Sequence, residues 1–96
     1  MTDKIVVAIP SYKVQNHVLE VIAQIPDFVS KIYVVDDKCP HGSGRLVQQE
    51  CRDSRVQVIF HEENQGVGGA MITAYRTALA DGMSIVVKID GDGQMN

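Results

Sequence analysis

The sequence predicts a parallel, doubly wound α/β sheet of about four strands and three helices. Three observations predict it. Short apolar runs rich in β-branched residues recur along the 96 residues. Between successive runs lie stretches with apolar residues at helical spacing. The order is β-α-β-α-β-α-β, and that alternation gives parallel strands joined by right-handed crossovers, with helices on both faces.

Ile5-Val6-Val7-Ala8-Ile9 is a continuous apolar run stopped by Pro10-Ser11. It reads as a strand buried on both faces. Val14, Val18, Val21, Ile22 and Ile25 then recur at helical spacing until Pro26-Asp27. Ile32-Tyr33-Val34-Val35 is the second strand and ends in Asp36-Asp37. Residues 38–44 contain Pro40, Gly42 and Gly44 and read as a loop. Ser43 is placed to cap a helix running to about Asp53, with Leu46, Val47 and Cys51 inward. Residues 56–60 form the third strand, and residues 61–65 a polar loop. Val67, Ala70, Met71, Ala74, Ala78 and Leu79 mark the inner face of a long helix that stops near Gly82. Ile85-Val86-Val87-Lys88-Ile89 is the fourth strand, followed by Asp90.

Length and composition fit one modest globular domain over residues 1–96, with apolar residues at 45% and charged residues at 22%. Acids outnumber bases, 12 to 9, and the bases are scattered. That leaves no footprint for nucleic acid or anionic lipid. Cys39 and Cys51 read as free thiols in a reducing compartment, since two cysteines are no disulfide framework. The apolar run before Pro10 is too short for a signal-peptide core or a membrane span, so the chain reads as cytoplasmic. It stops inside a glycine- and aspartate-rich turn soon after the fourth strand. We therefore expect it to be the front part of a longer protein, with a bare fourth-strand edge able to pair with a second copy.

In parallel sheets of this kind, ligands bind beyond the carboxyl ends of the strands, where the strand order reverses. The unusual polar clusters all fall at such ends: Pro10-Ser11-Tyr12, Asp36-Asp37, residues 61–66 and residues 90–94. Asp90-Gly91-Asp92 puts two carboxylates on one turn, where oxygen ligands suit magnesium or manganese; the alternative is a solvated Asp-Gly turn. A calcium loop fits worse, because the glycine falls at the wrong place. Asp36-Asp37 could bond a ribose or a base N–H, or could simply start a loop. Asn64-Gln65-Gly66-Val67-Gly68-Gly69 enters the long helix, where glycine admits a ligand and free N–H groups attract phosphate. Close packing of that helix on the sheet is the other explanation. Lys88 shares a face with Asp90, and either pairs with a carboxylate or marks an edge. His17, His41 and His61 show no metal spacing and read as surface or loop residues.

Taken in order, Ile9-Pro10-Ser11-Tyr12, Val34-Val35-Asp36-Asp37, Asn64-Gln65-Gly66 and Lys88-Ile89-Asp90-Gly91-Asp92-Gly93-Gln94 resemble glycosyltransferase family 2. These are inverting enzymes with the Rossmann-like GT-A fold. The resemblance covers nearly the whole chain and is to the family's N-terminal, nucleotide-sugar-binding half. Gly66-Val67-Gly68-Gly69-Ala70 is more similar to the polyprenyl-phosphate sugar transferase branch than to the branch with an arginine early in this helix, whose place Met71 takes.

The resemblance implies that Pro10 and Tyr12 border the base of a UDP- or GDP-sugar. It implies that Asp36, with Asp37, holds the uracil or guanine and its ribose, that Asp92 coordinates a magnesium or manganese ion on the donor phosphates, and that Asp90 contacts the ribose or the metal shell. It also implies that the second and fourth strands flank the first and end ~10 Å apart, a gap that suits a nucleoside diphosphate. The family's catalytic base and acceptor site belong to its second half, so these residues alone are expected to bind donor without transferring sugar. After Asp37, Lys38-Cys39-Pro40-His41 replaces the family's Gly-Ser, with Gly42-Ser43 displaced. Two other classes compete. A phosphoacceptor signalling domain needs its acid pair after the first strand, where Pro10-Ser11 stands. A non-catalytic interaction module would use the acids only as turns.

Overall fold

The computed structural model describes residues 4–91. In chain order these form β1 (Ile5–Ser11), α1 (Val18–Ala23), β2 (Lys31–Asp36), α2 (Ser43–Glu50), β3 (Val56–Phe60), α3 (Gly66–Ala80) and β4 (Ile85–Lys88). The sheet order is β3-β2-β1-β4 and every pairing is parallel. This is the doubly wound α/β architecture that the alternating pattern predicts. The order reverses at β1, which lies between β2 and β4, so the crevice for a ligand falls at the β1 carboxyl end.

Two apolar layers hold the sheet. Side chains alternate along a strand, so β1 sends Val7 and Ile9 to one face and Val6 and Ala8 to the other. The first face packs Val14, Val18, Ile22, Ile25 and Val47 over Ile32 and Val34. The second packs Ala70, Ala74 and Ala78 of α3 over Tyr33 and Val35. The alanines at i, i+4 and i+8 let α3 lie close on the sheet along a narrow stripe. Val67 and Leu79 fall outside that stripe and are 56% and 79% exposed. They are not the inner-face residues that helical spacing suggests.

Helix limits also differ from the sequence reading. Val14 and Ile25 are buried as their spacing requires, yet only Val18–Ala23 is α-helical. Lys13 sits in the left-handed region at φ 58°, and the chain enters α1 through a turn that bonds the His17 and Val18 amides to the Val14 carbonyl. α2 stops at Glu50 because Cys51 is extended. Asp53 instead bonds the Arg55 guanidinium at 2.7 Å, and that side chain also donates to the carbonyls of Ile25, Pro26 and Val29.

At the amino end of the sheet, the buried Tyr33 hydroxyl donates to Asp81 Oδ2 at 2.5 Å and fastens the end of α3 to β2. Burial and that carboxylate push the Tyr33 phenol well above its usual value. Lys88 meets both of its alternatives, since it lies on the edge strand β4 and pairs with Asp90 at 3.0 Å. No helix among the described residues is long and apolar enough to cross a membrane.

Candidate functional site

The carboxyl ends of β1, β2 and β4 and the start of α3 line a half-open cavity of about 170 Å³, bordered in part by Pro10, Tyr12, Asp37, Gly66 and Asp90. A shallower hollow of about 430 Å³ adjoins it and shares Tyr12, Asp37, Gly66 and Val67. The first cavity is smaller than the roughly 300–1,000 Å³ of pockets that swallow a whole drug-sized ligand. It suits one end of a longer molecule.

Each lining residue is there for a local reason. Pro10 and Ser11 are the last residues of β1, and the Asp37 amide donates to the Ser11 carbonyl at 3.1 Å, which holds the β1 and β2 ends side by side. Tyr12 follows and is 43% exposed, with Lys13 Nζ 5.4 Å from its ring centroid. Gly66 opens α3 at φ 77°, a conformation that favours glycine. Gly91 is buried, and a Cβ there would stand 3.1 Å from methyl groups of Ile9 and Val14. That lack of space brings the turn after β4 down against β1.

The paired acids divide their work. Successive residues on a strand point to opposite faces, so Asp36 and Asp37 reach different helices. Asp36 Oδ1 accepts the Cys39 amide at 2.7 Å and Oδ2 the Gly44 amide at 2.8 Å. It lies outside the first cavity and lines a separate hollow with Lys38, Arg45 and Phe60. Asp37 faces α3. Its Oδ1 accepts the Gln65 amide and its Oδ2 the Gly66 amide, both at 2.7 Å. Burial pushes the Asp37 carboxyl up, but the two amides and the His61 ring outweigh it and hold the group below the usual carboxylate value. Asp37 is thus a buried anion at a helix start that still borders the cavity.

Asp90 is the exposed acid of the cavity, its side chain 43% accessible. A carboxylate there is the hard oxygen donor that magnesium or manganese takes. Asp92, the other expected metal ligand, lies outside the described residues, as do Gly93 and Gln94. Among the described residues no group of three or more His, Cys, Asp or Glu is arranged to hold a metal ion.

The sequence profile described as glycosyl transferase family 2 matches residues 6–96. The chain belongs to glycosyl transferase family 2. It is 30% identical over 93 residues to an undecaprenyl-phosphate mannosyltransferase of Micrococcus luteus, covering 94% of this chain and 38% of that protein. It is 27% identical over 96 residues to a polyprenol monophosphomannose synthase of Mycolicibacterium smegmatis, covering 96% and 36%. Over 109 residues it is 29% identical to a UDP-N-acetylglucosamine–dolichyl-phosphate N-acetylglucosaminyltransferase of Methanococcus voltae, covering 98% and 43%. The chain therefore spans 36–43% of the length of these curated relatives. The crystal structure of S. aureus TarS 1-349 superposes with a TM-score of 0.70 over 93% of this chain and 27% of that one, at 24% identity, and bears on the fold alone.

Two features of this glycosyl transferase family 2 chain escape the sequence reading. The first is His61. Its side chain is 6% exposed, with Nδ1 2.8 Å from Asp37 Oδ1 and Nε2 2.7 Å from Thr73 Oγ1. His61 is a loop residue, as expected, but its side chain is buried rather than at the surface. The available signal is its place directly after β3, at a strand end like the other clusters.

The second is the Lys38-Cys39-Pro40-His41 loop. Lys38 and Gly42 take left-handed conformations at φ 56° and 70°, which curl the loop back so that Cys39 reaches Asp36. Ser43 does not cap α2. It is fully buried in the first turn, and its Oγ accepts the Val14 amide at 3.2 Å. The charged Asp36 caps the helix instead, and makes the stronger bond. Cys39 Sγ accepts the Lys13 amide at 3.1 Å and lies 3.1 Å from Ser43 Oγ. Burial raises the Cys39 thiol, but the Ser43 hydroxyl and the amides of Ser43, Lys13 and His41 together bring it below its usual value. Cys39 is therefore expected to alkylate several-fold faster than Cys51 with iodoacetamide at pH 7, read by peptide mass spectrometry. Equal rates would contradict the donor cluster around Sγ.

Proposed function

We propose that this chain forms the donor site of an inverting glycosyltransferase that moves sugar from a UDP- or GDP-sugar to an acceptor with the help of a divalent cation. The observation that carries the reading is the cavity at the reversal point of the sheet. It gathers Pro10, Tyr12, Asp37, Gly66 and Asp90 from four separate stretches of chain. Family membership supports a nucleotide-sugar as the ligand, and the relatives' names support transfer to a polyprenyl-type phosphate acceptor.

In this reading Asp37 accepts an N–H from the edge of the base. Two amides and an imidazole already occupy three of its roughly four lone-pair sites, and one is left for the ligand. Asp36 supports the site by pinning the loop and α2 behind it. The half-exposed Tyr12 ring offers a stacking face, and Pro10 closes the floor. The amides of α3 beyond Gly66 face the diphosphate end, where the helix start favours negative charge. Asp90 and Asp92 would hold magnesium or manganese, which when bound neutralises charge on the leaving diphosphate as a Lewis acid.

Among the described residues, the cavity's carboxylates are Asp37 and Asp90. The first is engaged by the fold and the second is assigned to the cation, which leaves neither to take the acceptor's proton. The chain alone is therefore expected to bind donor without transfer.

Calorimetric titration with UDP, GDP and their sugars, with and without manganese, tests the reading. Manganese is expected to tighten binding about tenfold or more, and Asp90→Ala and Asp92→Ala to remove that gain. Affinity indifferent to the ion and to both substitutions would count decisively against this function.

A further inference from the structure

We propose that His61 is a positioning residue for nucleotide binding: held between Asp37 and Thr73, it aims the one free lone pair of the Asp37 carboxylate into the cavity. The inference rests on the donor-site reading above and adds a residue to it.

His61 is the first residue after β3, and its amide donates to the Asp36 carbonyl at 2.8 Å. Its backbone therefore extends the β2–β3 ladder and fixes where the ring starts. From there the ring spans the gap between the end of β2 and the body of α3. Nδ1 reaches Asp37 Oδ1 at 2.8 Å and Nε2 reaches Thr73 Oγ1 at 2.7 Å. An ionised carboxylate only accepts, so the hydrogen-bond network assigns a proton to Nδ1. Thr73 Oγ1 is also 3.1 Å from the Gly69 carbonyl one turn back, so the far end of the ring is tied into α3.

Three contacts thus fix the Asp37 carboxylate. The Gln65 amide and the His61 ring hold Oδ1, while the Gly66 amide takes one side of Oδ2. The two amides belong to consecutive residues, the second of them lining the cavity, and move with the start of α3. Among the described residues, His61 alone braces the carboxylate from the sheet side. Without the ring, Oδ1 keeps a single partner and the group can turn about its Cβ–Cγ bond, which carries the free Oδ2 lone pair away from the base. The ring touches no ligand in this scheme: Asp37 borders the cavity and His61 does not.

The test measures UDP and GDP affinity by calorimetry and melting temperature by circular dichroism, on the wild-type chain and its variants. His61→Ala is expected to weaken the preferred nucleotide about tenfold. His61→Asn places an amide donor where Nδ1 stood and is expected to restore affinity to within about threefold, although it loses the Thr73 contact and its melting temperature falls with that of His61→Ala. A purely structural role would move affinity and melting together in both variants, and that result overturns the proposal. In an Asp37→Asn background, His61→Ala is expected to have no further effect on affinity; additive losses also overturn it. Should His61→Ala fail to fold, His61→Asn against His61→Gln carries the same comparison, with only Asn matching the Nδ1 position, and equal affinities overturn the proposal. A wild-type chain that binds neither nucleotide sinks the donor-site reading and this inference with it. A wild-type chain that binds while His61→Ala binds equally well sinks this inference alone.

Discussion

Replacing Asp37 with alanine is expected to destabilise the chain by about 3–5 kcal/mol at pH 7, since hydrogen bonds to a charged group contribute about 1.5–3 kcal/mol each. The Gln65 amide and the His61 ring nitrogen lose their acceptor, and the Gly66 amide keeps only its longer bond to Asn64 Oδ1 at 3.2 Å. The Asn64 side-chain amide still reaches the residue 37 carbonyl at 3.2 Å, but that bond does not replace the carboxylate.

The pH dependence fixes the sign. The folded carboxyl lies below its ordinary value of 3.8, so the native state holds the proton less tightly than the unfolded chain. Its stabilisation is complete above the unfolded value. It disappears as pH falls through the folded value. The difference between wild type and Asp37→Ala in urea denaturation should therefore shrink as pH falls below about 4. Taking the difference cancels the contributions of Asp53 and Asp81, which are also held low by their partners. Nucleotide affinity should fall at least tenfold in a fraction of the variant that remains folded. A stability gap that stays the same down to pH 3 would mean that the carboxylate is not the acceptor of these bonds.

The strands were legible because each is a short run rich in β-branched residues; β1 and β2 are also buried on both faces, as at Val6, Val7, Ala8 and Ile9, whereas β3 and β4 are only partly covered. The order β3-β2-β1-β4 follows from the family resemblance and the crossover rule, and it places Asp37 and Asp90 at the same end of the sheet. The division of labour between Asp36 and Asp37 was harder to read. Adjacent acids look like one feature in a sequence, yet strand pleating sends them to different helices. The position of His61 at a strand end was legible, but its partners were not. Its partners lie 24 residues before it and 12 after it, and only the crossovers bring them together. The misassigned Ser43 cap has the same origin. A local serine is the obvious candidate in the sequence, but a carboxylate from β2 reaches the helix start first.

That remote cap gives the second large effect. Gly44 is an ordinary helical residue near the start of α2, so propensity alone says that alanine there should stabilise by up to about 1 kcal/mol. The structure says the reverse. A Cβ on residue 44 would stand 2.6 Å from Asp36 Oδ2, 2.7 Å from Asp36 Cβ and 3.0 Å from Phe60 Cε1. Asp36 Cβ is fixed to the buried end of β2, so it cannot yield as the tip of a flexible side chain would. Overpacking of this kind costs about 1–3 kcal/mol. Stretching the charge-assisted bond from the Gly44 amide adds about 1.5–3 kcal/mol if it is lost outright. Gly44→Ala is therefore expected to destabilise by about 2–4 kcal/mol. Gly68→Ala serves as the control. It is also helical, no atom lies within 4 Å of its added Cβ, and it should be neutral or stabilising by up to about 1 kcal/mol. Opposite signs for two Gly→Ala changes in helices separate packing from propensity, and chemical denaturation at pH 7 reads both. Displacing Asp36 also drags the next residue, so Gly44→Ala should weaken UDP binding although residue 44 lies outside the nucleotide cavity. Two stabilising substitutions, or an unchanged UDP affinity in Gly44→Ala, would show that the start of α2 and the Asp37 site are not mechanically joined through β2.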